Sequence, residues 1–256
     1  MSTLVEHRSE RQSSARASQP RHELTLLLLL SMLAGIVDVT GFLRLDHVFT
    51  AHITGNLVVL ADQIVNGGPP HVPQLLAIPV FAAAVVLAYF LARGGRTTGS
   101  GRALLVMQSL LLFIVLGIAL RAPRRDLLAH GGVPAAMFAV AAMAFQNTYL
   151  RVVARESATT TVMTGNLTSS IIFALSLVWP GPFTPADAAQ RLRRTLPLLI
   201  GFFLGCAVGA AGAARLGPWA WATPALLSLL ALPLASRAPG RPGHAALSAS
   251  TAPSTP

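Results

Sequence analysis

Eight apolar stretches run through the chain, each closed by Gly, Pro or Arg-bearing segments, at about residues 24–43, 48–65, 73–92, 103–120, 133–150, 157–178, 196–214 and 219–235. A helix of ~20 apolar residues, rising 1.5 Å per residue, crosses ~30 Å of hydrocarbon. Six of the stretches fit that description. The other two, 48–65 and 157–178, are interrupted by polar residues, and both carry the same tripeptide, Thr54-Gly55-Asn56 and Thr164-Gly165-Asn166. The pattern predicts an all-α polytopic membrane protein with six full spans plus two broken or re-entrant helices; eight full spans is the alternative. The polar, Ser- and Arg-rich residues 1–22 and the Pro/Ser/Ala-rich residues 236–256 read as disordered tails, the first of them cytoplasmic. Leu26 to Leu30 follow positive charge as a signal peptide would, but the apolar run continues to Leu43 and Leu33-Ala34-Gly35 is a poor cleavage site, so the first helix is expected to stay.

The tripeptide organises the chain into two repeats, 24–120 and 133–235, within one membrane domain spanning 23–235. Thr54 and Thr164 lie 110 residues apart. Each follows a helix with an expensive polar group, Asp38 sixteen residues before Thr54 and Asn147 seventeen before Thr164. Each half thus holds a polar-marked helix, a Thr-Gly-Asn segment and two apolar helices. With three full spans per half the repeats become inverted in the membrane.

Charge then bears on orientation. Only 11% of residues are charged and 53% are hydrophobic, far from a soluble composition. All 19 basic residues are Arg. They fall in the tails and between apolar runs, where Arg sets topology and meets lipid phosphate; no basic face with interleaved aromatics suggests nucleic acid. With six spans and a cytoplasmic N-terminus, 14 Arg lie inside and 5 outside, against 12 and 7 for eight spans. The first split follows the positive-inside bias more closely and puts both termini in the cytoplasm. Gly201, Gly205 and Gly209 share one helix face and permit close packing, either within the chain or between copies as a homo-oligomer contact. Cys206, the one cysteine, sits among small residues and reads as packing.

The chemistry must come from the intramembrane polar residues. Asp38 costs about 2.5–3.5 kcal/mol if ionised at the centre of a span. It either braces the fold, paired with Arg44 or bonded to a Thr-Gly-Asn turn, or couples proton or cation movement, with His52 as a relay. Thr54 and Thr164 are placed to cap helices whose free N–H groups would meet a polar or anionic solute; Gly55, Asn56, Gly165 and Asn166 would complete that substrate site. Gln146 and Asn147 would line a polar path or tie helices together. No nucleophile with its base, phosphate loop, dinucleotide fingerprint or metal-ligand spacing occurs, so no enzyme, cofactor or metal is expected.

Gly35-x-x-Asp38, Phe42-Leu43, Phe49 and Thr54-Gly55-Asn56 in the first half, with Gln146-Asn147 and Thr164-Gly165-Asn166 in the second, resemble the paired signature of the YoaK family of bacterial inner-membrane proteins. The resemblance covers about residues 24 to 235. The second half departs from it with Ala144-Phe145 before Gln146 and Thr148 after Asn147. The resemblance implies an architecture and no established activity. The expectation from the residues is a secondary transporter or channel for a small polar or anionic solute in the lipid bilayer; a non-transporting structural or sensory partner is the alternative.

Overall fold

The computed structural model describes residues 21–66, 72–93, 98–121, 132–154 and 163–235. The tails expected to be disordered lie almost wholly outside these. Among the described residues all regular structure is helical: α1 (Arg21–Arg44), α2 (Gly55–Val65), α3 (Val72–Arg93), α4 (Thr98–Arg121), α5 (Gly132–Thr148), α6 (Met163–Leu175), α7 (Pro185–Leu216) and α8 (Ala222–Ala235). A π-helical turn, Tyr149–Val153, extends α5, and a 3-10 turn, Gly217–Trp221, joins α7 to α8. Helix is the form that satisfies every backbone group without water, which suits such apolar sequence.

Five helical stretches are long and apolar enough to cross a membrane: His22–Arg44, Val72–Arg93, Gly101–Arg121, Gly132–Val153 and the continuous Pro185–Ala235. The two Thr-Gly-Asn helices are much shorter, 11 and 13 residues. At 1.5 Å per residue neither reaches much beyond half the hydrocarbon thickness of about 30 Å. Residues 185–195, which lie between two of the apolar stretches and carry Arg191, Arg193 and Arg194, form the first turns of α7. The local sequence explains it: Thr184 Oγ1 accepts from Asp187 N at 3.2 Å, Pro185 takes the first helical position, and the acidic Asp187 faces the positive helix end.

Two core clusters stacked along α1 give the helix directions. One gathers Leu26, Leu27 and Leu30 with Ala88, Leu104, Leu105, Phe145, Leu150, Leu198 and Ala231. The other gathers Leu33 and Val37 with Ala77, Leu112, Val115, Ala135, Ala139, Trp221 and Ala225. Following each helix from one cluster to the other, α4 runs with α1, and α3, α5 and α8 run against it. The C-terminal end of α1 and the start of α3, which flank α2 in the chain, therefore lie at the same end of the bundle.

The tightest contact is between α1 and α7, which lie parallel. A Cβ on Gly201 would stand 2.5 Å from Leu28 O, and one on Gly209 would stand 2.9 Å from Ile36 O; one on Gly205 would collide with Met32 O, and one on Gly35 with Phe202 O. The numbering rises together on both helices, and Ser31 Oγ donates to Leu198 O along the same seam. Gly201, Gly205 and Gly209 thus serve α1 of their own chain. Of the two readings left open for these three glycines, the contact within the chain is the one they make.

Candidate functional site

The polar centre is built where α1 ends. After Arg44 the chain reverses through Asp46 and His47, whose φ of 57° and 58° place both in the left-handed region. Leu45 N donates to Gly41 O at 2.8 Å and His47 N to Phe42 O at 3.2 Å. Residues 48–53 then descend beside the last turns of α1. Gly41 makes room for them, since a Cβ there would lie 2.9 Å from Thr50 Cγ2. Gln74 Nε2 of α3 donates to Asp46 O and pins the turn from outside.

Asp38, only 4% exposed, is the anchor of this descent. Its Oδ1 accepts from Thr50 N at 2.7 Å, Ala51 N at 2.8 Å and Thr50 Oγ1 at 3.3 Å. Its Oδ2 meets His52 Nδ1 at 2.7 Å. Two backbone donors, a hydroxyl and an imidazole replace the water that burial removed, which is what a carboxylate requires in such a place. Arg44, the expected alternative partner, has its guanidinium near Gly217, where a Cβ would lie 3.6 Å from Nη2. His52 packs its ring edge-on against Phe202 of α7, centroids 5.1 Å apart.

Asn56 holds the same loop from the other side. Its Oδ1 accepts from Phe49 N at 2.9 Å, and its Nδ2 donates to Phe49 O at 2.8 Å and Ile53 O at 3.1 Å. Gly55 is small because the Phe49 ring would stand 2.9 Å from a Cβ. Thr54 occupies the N-cap position but makes no side-chain cap bond. The expected free donors are instead spent: Gly55 N, Asn56 N and Leu57 N donate to the carbonyls of His52, Ile53 and Thr54 at 2.8, 3.2 and 3.2 Å. The first Thr-Gly-Asn is thus a loop lock that starts a helix.

The second copy differs locally. Thr164, Gly165 and Asn166 lie inside the first turn of α6, with Thr164 and Gly165 exposed and Asn166 buried. Thr168 Oγ1 donates to Thr164 O at 2.9 Å. Further along, Ser170 Oγ donates to Thr195 Oγ1 at 2.8 Å, and Arg191 stands over the Phe173 and Phe183 rings. These pairings make α6 antiparallel to the N-terminal part of α7. Phe202, which touches His52, follows Thr195 by two helical turns on the same side of α7, about 10 Å further on. One helix, α7, therefore meets α6 near its start and the loop before α2, through His52, further along.

Gln146 is wholly buried and cross-ties three helices: its Oε1 accepts from Gln108 Nε2 of α4 at 2.8 Å, and its Nε2 donates to Leu30 O of α1 at 2.9 Å. Asn147 Nδ2 donates to Met143 O at 3.0 Å within α5. Gln108 was not singled out from the sequence, although a lone amide inside the apolar run 103–120 is the same signal that marked Asp38. Thr50, the other missed partner, acts mainly through its backbone N–H, which no side-chain pattern reveals. Among the described residues, no group of three or more His, Cys, Asp or Glu is placed to hold a metal ion.

A family described as "Protein of unknown function (DUF1275)" matches residues 26–234, nearly the whole helical body. The chain belongs to the DUF1275 family. The protein is 62% identical over 40 residues to the "UPF0700 transmembrane protein YoaK" of Bacillus subtilis (strain 168), a segment that is 16% of this chain and 18% of that one. The match thus spans under a fifth of the curated relative's length. No solved structure matches. The resemblance to YoaK drawn from the paired motifs holds, and this DUF1275 protein is a multi-pass membrane protein.

Proposed function

We propose that the chain is a secondary transporter or channel for a small polar solute, with six spans, two half-helices entering from opposite faces, and both termini cytoplasmic. The observation that carries this reading is the carboxylate-held descent of residues 48–53 into a helix of half-membrane length, in a bundle whose long helices alternate in direction. Non-helical backbone at membrane depth is tolerated where protein or a polar cavity satisfies it, and broken helices of this kind mark binding sites in transporters. The Thr-Gly-Asn residues and Gln146 and Asn147 would border the solute path, and Asp38 with His52 would couple it to protons. The anionic half of the expectation loses support at α2, whose first-turn donors are spent on carbonyls. The reading assigns no catalytic chemistry to the chain.

The alternative, a structural or sensory membrane partner, is favoured by one observation: every hydrogen bond described for Asp38 and Asn56 ends on the loop residues 49–53 between their helices. Cysteines placed singly at 54–56 and 164–166 in a Cys206→Ala background separate the two. Labelling by a water-soluble thiol reagent from either side of the membrane supports a path; protection of all six positions supports the partner reading. Reporter fusions at the two termini test the six-span topology, which fails if they report opposite sides.

A further inference from the structure

We infer that Nε2 of His52 is the proton-exchanging atom of this site, and that Asp38 is its positioning residue. The physiological meaning of this rests on the transport reading; the chemistry does not. Both oxygens of Asp38 are engaged. Oδ1 is held by two backbone N–H groups and a hydroxyl, and a backbone N–H can only donate. Only Oδ2 has a partner of variable protonation, His52 Nδ1 at 2.7 Å. A carboxylate oriented by fixed donors orders the imidazole so that Nδ1 carries its hydrogen toward Oδ2, which leaves the lone pair on Nε2.

The pair then has two states. In one, His52 is neutral and the dyad carries one negative charge. In the other, a proton has added at Nε2, giving an imidazolium–carboxylate pair of no net charge. Asp38 stays 4% exposed, while the His52 side chain is 28% exposed, the more accessible member of the dyad. The surroundings leave these two groups to set the charge. On α1 the nearest other charged residue in sequence is Arg44, beside Gly217. The loop adds Asp46 and His47, the latter edge-on to Phe42 with centroids 5.0 Å apart. From α7 the neighbouring titratable group is Cys206, four residues from the Phe202 that touches His52; the charged residues of α7, Asp187, Arg191, Arg193, Arg194 and Arg215, lie eight or more positions from Phe202. Asp62 sits a further two turns along α2.

The test is nitrogen NMR on the full chain, labelled with 15N-histidine, in lipid nanodiscs, with the His52 signals assigned by their loss in His52→Gln. Above its protonation pH, His52 is expected to show a protonated Nδ1 and a bare Nε2, the reverse of the tautomer free histidine prefers; on acidification the Nε2 signal is the one that moves. Asp38→Asn presents an amide N–H or carbonyl in place of Oδ2 and removes the fixed charge; with Oδ1 retained for Thr50 and Ala51, its amide N–H faces Nδ1 and the tautomer should invert. A wild-type His52 protonated at Nε2 when neutral, or a tautomer unchanged in Asp38→Asn, overturns the assignment. If Asp38→Asn fails to fold, the wild-type spectrum still decides. In a separate arm, proteoliposomes holding a trapped pH dye are given a pH jump. His52→Gln is expected to slow proton movement at least tenfold relative to wild type, and undiminished movement overturns the carrier role of Nε2. A wild-type protein with the expected tautomer but no proton movement refutes the transport reading and leaves the tautomer assignment standing.

Discussion

Replacing Gly201 by Ala tests how closely α1 and α7 are held. The new Cβ would stand 2.5 Å from Leu28 O and 3.2 Å from both Met32 N and Ser31 Cβ. The first is backbone and cannot swing aside. To bring 2.5 Å to the 3.4 Å of ordinary contact, the helices must separate by about 0.9 Å at that level. A radial gap of 0.5–1 Å forfeits roughly a quarter to a half of each dispersion contact it opens, and overpacking of this sort typically costs about 1–3 kcal/mol. Against it stands the helical preference for Ala over Gly, about 1 kcal/mol. The net expectation is a loss of up to about 2 kcal/mol. Gly117→Ala is the matched control, because a Cβ there meets nothing within 4 Å; it should gain about 0.5–1 kcal/mol. Thermal unfolding of the purified chain in a mild detergent, followed by circular dichroism and by protease resistance, measures both. A Gly201→Ala protein as stable as Gly117→Ala would refute the close parallel packing of α1 on α7.

Asn56→Ala strips three hydrogen bonds and leaves Phe49 N and O without their partner, at about 1–3 kcal/mol for each buried group left unsatisfied; limited proteolysis should cut near residues 48–54 in the variant and spare the wild type, and an uncut variant argues against the lock. Gln146→Leu should destabilise by about 1–2 kcal/mol through the stranded Gln108 amide and Leu30 carbonyl. Adding Gln108→Leu should restore part of that loss, and a double-mutant cycle showing simple additivity would deny the cross-tie.

Much of this arrangement was legible before any coordinates. Asp38 stood out because a carboxylate inside an apolar run must be matched, and it is. The doubled Thr-Gly-Asn marked two helices too interrupted to run the full thickness, and both are short. The identity of Asp38's partners was less accessible, since two of the four donors are backbone N–H groups of Thr50 and Ala51 and carry no side-chain signature. The start of α7 was misjudged because Arg191, Arg193 and Arg194 suggested a loop, although Thr184-Pro185 and Asp187 form a helix-start signal that outweighs them. The small-residue face at 201, 205 and 209 announced a close neighbour without naming it, because a helix face records the shape of its partner and nothing of its place in the chain.

That partner's place in the chain has a consequence for how the protein is made. Ser31 meets Leu198 across 167 residues, whereas Asp38 finds all its donors within 14. At 5–20 residues per second, α1 leaves the ribosome roughly 8–33 s ahead of the glycine face that will cover it. The costly carboxylate is hydrogen-bonded almost at once by the loop that follows it, so α1 can wait in the bilayer with its carboxylate already partnered. The backbone ridge of Leu28, Met32 and Ile36 stays against lipid until the seventh helix arrives, and the first helix inserted is among the last to be seated.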